Sequence, residues 1–232
     1  MKNSAIVISC EHAVDTVPEE YRALFTPFKE LIKTHRGIDF GALAIALYLK
    51  DTLPSDFIQA HATRLLIDCN RSLNHPSCFS EVTKDLPAEE KTKIITRYYQ
   101  PFREQVINLI QKQINQKLQV WHFSIHSFTP VMNNQVRSTD IGLLYNPQRP
   151  SEKVLCEQLQ KELLQLNPNI RVRRNYPYKG ISDGFTTFLR KKFTDAEYVG
   201  IEIESNQALT RNDQSIDILK KLLSDSLLKL LC

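Results

Sequence analysis

No stretch of the chain approaches the roughly twenty uninterrupted apolar residues that a bilayer-crossing helix needs, so a membrane-spanning segment is excluded. Glycine is scarce, with six in 232 residues, and nowhere do glycine and serine gather into linker composition, so a single domain over 1–232 is expected. The five cysteines (Cys10, Cys69, Cys78, Cys156, Cys232) are an odd number without zinc-finger spacing, which argues against a disulfide framework and for reduced thiols. Cys10 and Cys69 lie in apolar segments and read as small core residues. Neither sign of charge predominates: 30 basic against 26 acidic residues leave +4. The basic residues are scattered apart from Arg171, Arg173 and Arg174, so the basic face with aromatic platforms that nucleic acid requires is missing. Met1-Lys2-Asn3-Ser4 runs into a short strand without a signal-peptide core, so a cytoplasmic protein is expected. No internal repeat is visible.

What the chain does have is alternation. At 232 residues and 42% hydrophobic it can bury one sizeable core. Strands are predicted at Ala5–Ser9, Phe57–Ala60, Arg64–Asp68, Val120–Ile125, Ile141–Tyr145, Ile170–Arg174 and Tyr198–Ile203. Helices are predicted at Gly41–Leu53 (with Leu43, Ile45, Leu47 and Leu49 all buried), Pro87 to about Leu118, Ser151–Gln165, Thr186–Lys192 and Asp213–Leu231. Acidic residues favour the start of the second helix, and Pro101 should kink or split it. Ser72–Asp85 and much of Asn167–Asp183 read as loops. Strands separated by helices of this length imply an α/β fold, a mixed and mostly parallel sheet covered on both faces.

Three strand ends carry polar groups suited to chemistry. Phe123-Ser124-Ile125-His126-Ser127 delivers a histidine where a strand should end, the place at which a parallel sheet displays its reactive side chains. Val7-Ile8-Ser9-Cys10-Glu11-His12 repeats the pattern. Tyr198-Val199-Gly200-Ile201-Glu202-Ile203-Glu204 does so with carboxylates. A catalytic zinc takes three ligands of the His, Asp or Glu type, so His12 and His126 are candidate metal ligands. Adjacent residues on a strand point to opposite faces, so Glu11 could join His12 on one metal only if the strand has already broken. His122, His35, His61 and His75 have no comparable case; His122 reads as structural.

Several ordered blocks together resemble one family. They are Ser9-Cys10-Glu11-His12, Gly37-Ile38-Asp39-Phe40-Gly41-Ala42, Thr63-Arg64-Leu65-Leu66-Ile67-Asp68-Cys69-Asn70-Arg71, Ser124-Ile125-His126-Ser127, Asp140-Ile141-Gly142, Asn175-Tyr176-Pro177-Tyr178-Lys179-Gly180 and Ile201-Glu202-Ile203-Glu204. The chain is similar in these to the N-formylglutamate amidohydrolases, which are related in fold to the zinc carboxypeptidases and aspartoacylases. The resemblance implies one Zn2+ per chain and hydrolysis of small N-formyl or N-acyl amino acids.

It also implies Asp39 as the third ligand, with Glu11 as the alternative; without a metal, Asp39 would read as a helix cap. Amide hydrolysis needs a base for water and an acid for the leaving amine, and one carboxylate can serve both in turn. The resemblance assigns this role to Glu202, which stands where the related carboxypeptidases carry their late glutamate; Glu204 shares its face if the strand persists and is the alternative. A substrate carboxylate calls for an arginine fork. Arg71 with Asn70 is the leading choice. Arg64 is assigned to the substrate or the scissile carbonyl, unless it and Asp68 form a structural salt bridge. Arg137 could meet a second carboxylate and Tyr178 could line the pocket; Tyr145 and Asn175 are weaker candidates. The expected partner is a small acidic molecule. Peptidase or carboxypeptidase chemistry, and a non-catalytic relative that binds a small acidic ligand, are the alternatives.

Overall fold

The computed structural model describes residues 4–231; Met1, Lys2, Asn3 and Cys232 lie outside the described residues. Its strands are β1 (Ser4–Cys10), β2 (Ser55–Gln59), β3 (Gln119–Phe128), β4 (Val131–Met132), β5 (Gln135–Val136), β6 (Ile141–Leu144), β7 (Val172–Arg174) and β8 (Tyr198–Asn206). Six form one sheet in the order β2-β1-β3-β8-β6-β7. The first four are mutually parallel, β6 runs antiparallel to β8, and β7 is parallel to β6, so the sheet is mixed and mostly parallel. β4 and β5 make a separate hairpin whose turn residues, Asn133 and Asn134, both have positive φ, the geometry that asparagine tolerates in tight hairpins. No helix among the described residues is long and apolar enough to cross a membrane.

The period-two alternation of the three central strands separates the faces. Ile6, Ile8 and Cys10 of β1, Phe123 and Ile125 of β3, and Ile201 and Ile203 of β8 pack under helices Ala42–Thr52, Pro150–Leu166 and Asp213–Leu231. Val7, Val120 and Tyr198 face the other way, into a second cluster built with the helical segment 88–115 and helix Phe185–Lys192. Helices thus cover both faces, as the alternation of elements predicts.

The second face does not stay apolar. Register pairs Val7 with His122 and His122 with Gly200, then Ser9 with Ser124 and Ser124 with Glu202, then His126 with Glu204. His122 is fully buried and bonds Tyr198 Oη and Ser9 Oγ at 2.8 Å each, so its role is structural. Gly200 makes room for this, because a Cβ there would stand 2.4 Å from Tyr198 Oη.

Four local predictions are corrected. In helix Ala42–Thr52 the buried residues are Ala42, Ile45, Ala46 and Leu49, whereas Leu47 is 38% exposed, because residues two apart on a helix face different directions. Arg64–Asp68 forms turns, not a strand. Leu65, Leu66 and Ile67 are buried all the same, and loop groups replace the missing strand neighbour: Ser80 Oγ donates to Leu65 O, Thr83 Oγ1 to Leu66 O, and Asp68 N to Cys78 O. β3 and β8 extend beyond their expected ends, to Phe128 and Asn206, so His126 and Glu204 sit on the sheet and not past it. Pro101 does not split its helix: the segment 88–115 runs on through a π-helical turn, Ile95–Tyr99, and Pro101 follows directly after it, where the wider turn accommodates its missing N–H and its ring.

Candidate active site

β1 ends at Cys10 and the chain turns at Glu11 and His12, which frees these adjacent residues from the strand rule. Asp39 is drawn to the same place by its backbone, whose N–H donates to His12 O at 3.1 Å. Gly41, two residues on, has φ 79°, and a Cβ there would meet Thr210 at 2.5 Å, so only glycine lets the chain enter helix Ala42–Thr52 from this direction. The Asp39 side chain does not cap that helix. It points to the histidines.

His12, Asp39 and His126 are all buried, and one donor atom from each lies within 4.8 Å of the others. Asp39 Oδ2 is 3.2 Å from His12 Nδ1 and 3.0 Å from His126 Nδ1. Ligands on a tetrahedral zinc at about 2.0–2.1 Å are separated by roughly 3.3 Å, so these two edges match the donor spacing such an ion requires. The outer nitrogens are occupied as they are in zinc sites, where a second partner fixes the tautomer. His12 Nε2 meets Asp68 Oδ1 at 2.7 Å, and His126 Nε2 meets Ser124 Oγ at 2.9 Å and Glu11 Oε2 at 3.3 Å. Two imidazoles with their Nδ1 atoms turned to one carboxylate, and their Nε2 atoms held from behind, fit a divalent metal.

Burial would raise the carboxyl pKa values here, but the imidazoles outweigh it. Asp39 and Asp68 lie well below the usual range, and Glu11 is held at about 2. In return, although burial would lower them, His12 and His126 are raised by Asp39 together with Asp68 and Glu11 respectively.

Glu11 stands outside the triangle, on the far side of His126, and accepts from Ser9 Oγ and Ser124 Oγ at 2.7 Å each. Arg64 takes the salt bridge foreseen for it. Its guanidinium donates to Asp39 Oδ1 at 3.1 Å and to Asp68 Oδ2 at 2.9 Å, so it clamps the two carboxylates that hold His12, which is the salt-bridge alternative with one partner more. Burial would lower its pKa, yet Asp68 and Asp39 raise it, so it is permanently charged.

A cavity of about 310 Å³ opens over this centre, lined by His12, Asp39, His126, Arg64, Asn70, Arg71, Tyr178, Glu202 and Glu204 among others. Arg137 is not part of the lining. It stands behind, donating to Tyr178 Oη at 3.2 Å and stacking on that ring, which makes it a support for the cavity wall. Asn175 is likewise structural: its Oδ1 accepts from Tyr145 N and Gly180 N and ties the Tyr178 loop to the end of β6. Asn70 Oδ1 accepts from Phe185 N at 2.7 Å, and Arg71 donates to Asp183 O.

The two late glutamates differ. Thr186 Oγ1 donates to Glu202 Oε1 at 2.5 Å, whereas Glu204 Oε2 is buried without a hydrogen-bond partner. Burial, with Asp39 and Glu202 nearby, pushes Glu204 up to about 7 against the opposing pull of His126.

Sequence reasoning missed Asp68 as the partner of His12, and missed Lys179, Ser182, Asp183, Met132, Leu144 and Ser127 in the lining. Asp68 carried a signal, a carboxylate between Ile67 and Cys69 in an apolar run, which a buried partner must compensate.

Among solved structures, the chain matches a gene product of Agrobacterium tumefaciens with a TM-score of 0.79 and 26% identity, over 99% of this chain and 92% of that one. It also matches an N-formylglutamate amidohydrolase from Ralstonia eutropha with a TM-score of 0.77 and 19% identity, over 100% of this chain and 94% of that one. No curated protein matches it in sequence. The sequence profile of the N-formylglutamate amidohydrolases spans residues 4–210, and with its site residues within that span this chain belongs to the N-formylglutamate amidohydrolase family.

Proposed function

We propose that this protein hydrolyses the amide bond of small N-formyl or N-acyl amino acids, with one zinc ion held by His12, Asp39 and His126. The observation that carries the reading is the His12–Asp39–His126 triangle at the base of a cavity that also contains a free buried carboxylate. Zinc at such a site supplies a Lewis acid for the scissile carbonyl and lowers the pKa of a bound water.

The chain's own groups do the rest. Glu204 is the proton carrier, taking a proton from the attacking water and delivering it to the departing amine nitrogen. It suits this role better than Glu202, the residue expected from the sequence, because its Oε2 is uncommitted whereas Glu202 Oε1 accepts from Thr186 Oγ1. Glu202, fixed by Thr186, orients the cavity floor. Arg71 and Asn70 receive the substrate carboxylate, Arg71 aimed by Asp183 and Asn70 by Phe185. Arg64 fixes Asp39 and Asp68 and thereby both ends of the His12 ring.

The volume of about 310 Å³ lies at the small end of ligand pockets, roughly 300–1,000 Å³, which favours an N-acyl amino acid over a protein chain. Four buried free thiols, Cys10, Cys69, Cys78 and Cys156, suit a reducing compartment, and we assign the protein to the cytoplasm.

The test combines metal analysis of purified protein with a panel of N-formyl and N-acyl amino acids and short peptides. One equivalent of zinc and release of formate or another acid are expected, both lost in His126→Ala. Undiminished turnover after metal removal, or turnover of peptides alone, would refute the proposal.

A further inference from the structure

Arg103 is the one fully charged side chain in the helical layer of the second face whose burial the chemistry above leaves unexplained. It is 6% exposed, in helix Gln100–Asn115, and among the described residues it forms no ion pair with a carboxylate. An unpaired buried cation is costly, and burial indeed lowers its pKa. Three rings compensate: the guanidinium carbon lies 4.3 Å from the centroid of Phe185, 4.6 Å from Phe188 and 4.8 Å from Tyr99. From inside this cage Nη1 donates to Cys69 O at 3.1 Å and to Arg71 O at 3.3 Å.

Those carbonyls flank Asn70. Every group near them acts on the same three residues: Tyr99 Oη donates to Arg71 O at 2.7 Å, Phe185 N holds the Asn70 side chain, and Asp68 Oδ1 accepts from Asn70 N at 2.9 Å. Tyr99 closes the π-helical turn, so the irregularity before Pro101 delivers a hydroxyl to the same carbonyl as Arg103. Segment 69–71 lies in turns with no strand beside it, so these contacts stand in for a ladder.

Resting on the reading of Arg71 and Asn70 as the carboxylate receptor, we propose that Arg103 is a positioning residue for substrate selectivity, clamping the Cys69 and Arg71 carbonyls so that the Arg71 fork meets the substrate's carboxylate. Arginine suits the task because its planar guanidinium stacks flat between rings while its N–H groups point in-plane to the carbonyls; a lysine ammonium has no flat face to hold it so.

The test measures kcat/KM for an N-formyl amino acid and for its α-carboxamide, in the zinc-loaded protein, for Arg103→Met, Arg103→Lys and Arg71→Met. In both Arg103 variants the preference for acid over amide should fall about tenfold, through a higher KM for the acid, with zinc content near one equivalent. Arg103→Met removes an unpaired buried cation while keeping apolar bulk between the rings, so its unfolding midpoint should stay near wild type; Arg103→Lys keeps the charge and tests the fork. Unchanged preference in both variants, or equal losses for acid and amide, would overturn the positioning role. The control separates the two ideas: a preference that falls in Arg71→Met but not in the Arg103 variants removes only the inference about Arg103, whereas a preference unmoved in Arg71→Met removes the carboxylate receptor and this inference with it.

Discussion

Glu204→Gln should make the enzyme slower and, without metal, more stable. Gln keeps the shape of the side chain but cannot accept a proton, so turnover should fall at least about a hundredfold, the loss expected when general acid–base catalysis is removed. The stability effect follows from the same environment. Burial is the largest influence on Glu204 and raises its carboxyl to about 7 in the folded chain, against 4.5 in the unfolded one. A group whose pKa rises on folding contributes stability that is fully present below pH 4.5 and is lost as pH climbs through 7. At about 1.4 kcal/mol per pH unit, that is roughly 3 kcal/mol by pH 8. The metal-free Glu204→Gln chain, uncharged throughout, should therefore match wild type near pH 4.5 and exceed it by up to about 3 kcal/mol at pH 8. Urea unfolding at the two pH values measures this. Glu202→Gln, which disturbs a bond to Thr186 instead, should show no comparable gain. A Glu204→Gln enzyme that retains wild-type turnover, or gains no stability at pH 8, would show that the free carboxylate is not the proton carrier.

Asp68→Asn should weaken zinc binding by about 10–100-fold, because it removes the charged partner of His12 Nε2; competition with a calibrated chelator reads this, and unaltered affinity would remove Asp68 from the outer shell. Arg71→Lys retains the charge but loses the fork, so binding of a carboxylate substrate should weaken by about 1.5–3 kcal/mol and that of its amide far less; equal losses would make Arg71 structural. His122, pushed down to about 4 by burial, titrates below its unfolded value of 6.5. Its folded pKa is depressed, so the unfolded chain takes up the proton first and stability drops as pH falls from 6.5 to 4. Between pH 7 and 4.5 the metal-free wild type should lose about 2–3 kcal/mol more than His122→Gln in urea melts, and identical losses would contradict a neutral buried imidazole.

Much of this arrangement is legible before any coordinates. Strands and helices announce themselves where one period dominates, as in β1, β3, β8 and the C-terminal helix, and the two candidate metal histidines stand just beyond β1 and near the end of β3. What fails is instructive. Leu47 is apolar without being inward, since hydrophobicity alone does not say which side of a helix faces the sheet. Arg64–Asp68 has strand composition, yet its carbonyls are satisfied by Ser80 and Thr83, donors from a loop more than ten residues away that local pattern cannot connect to it. Arg64, Glu11 and Asp68 are all recognisable as charges that need partners. The Arg64–Asp68 pair is local and readable, but Arg64 with Asp39, Asp68 with His12 and Glu11 with Ser124 span 25, 56 and 113 residues, and only the folded sheet supplies those partners.

The core and the site are set by a single alternation. On β3, Phe123 and Ile125 enter the apolar layer beneath three helices, while Ser124 and His126 enter the opposite face, beside Ser9 of β1, Glu11 of the turn that follows it, and Glu202 and Glu204 of β8. Along that second face the side chains change from Val7, Val120 and Tyr198 through a serine and histidine layer to the candidate metal ligands, so polarity increases towards the cavity. A slip of one residue in β3 would turn His126 into the apolar layer and Phe123 or Ile125 into the cavity, since strand side chains alternate with period two. Burial of the isoleucines and phenylalanine therefore holds the histidine in place, at roughly 1.5–3 kcal/mol per fully buried side chain. The site needs no rigidity of its own on this strand: the energy that fixes the register is the energy of the core on the other side of the sheet.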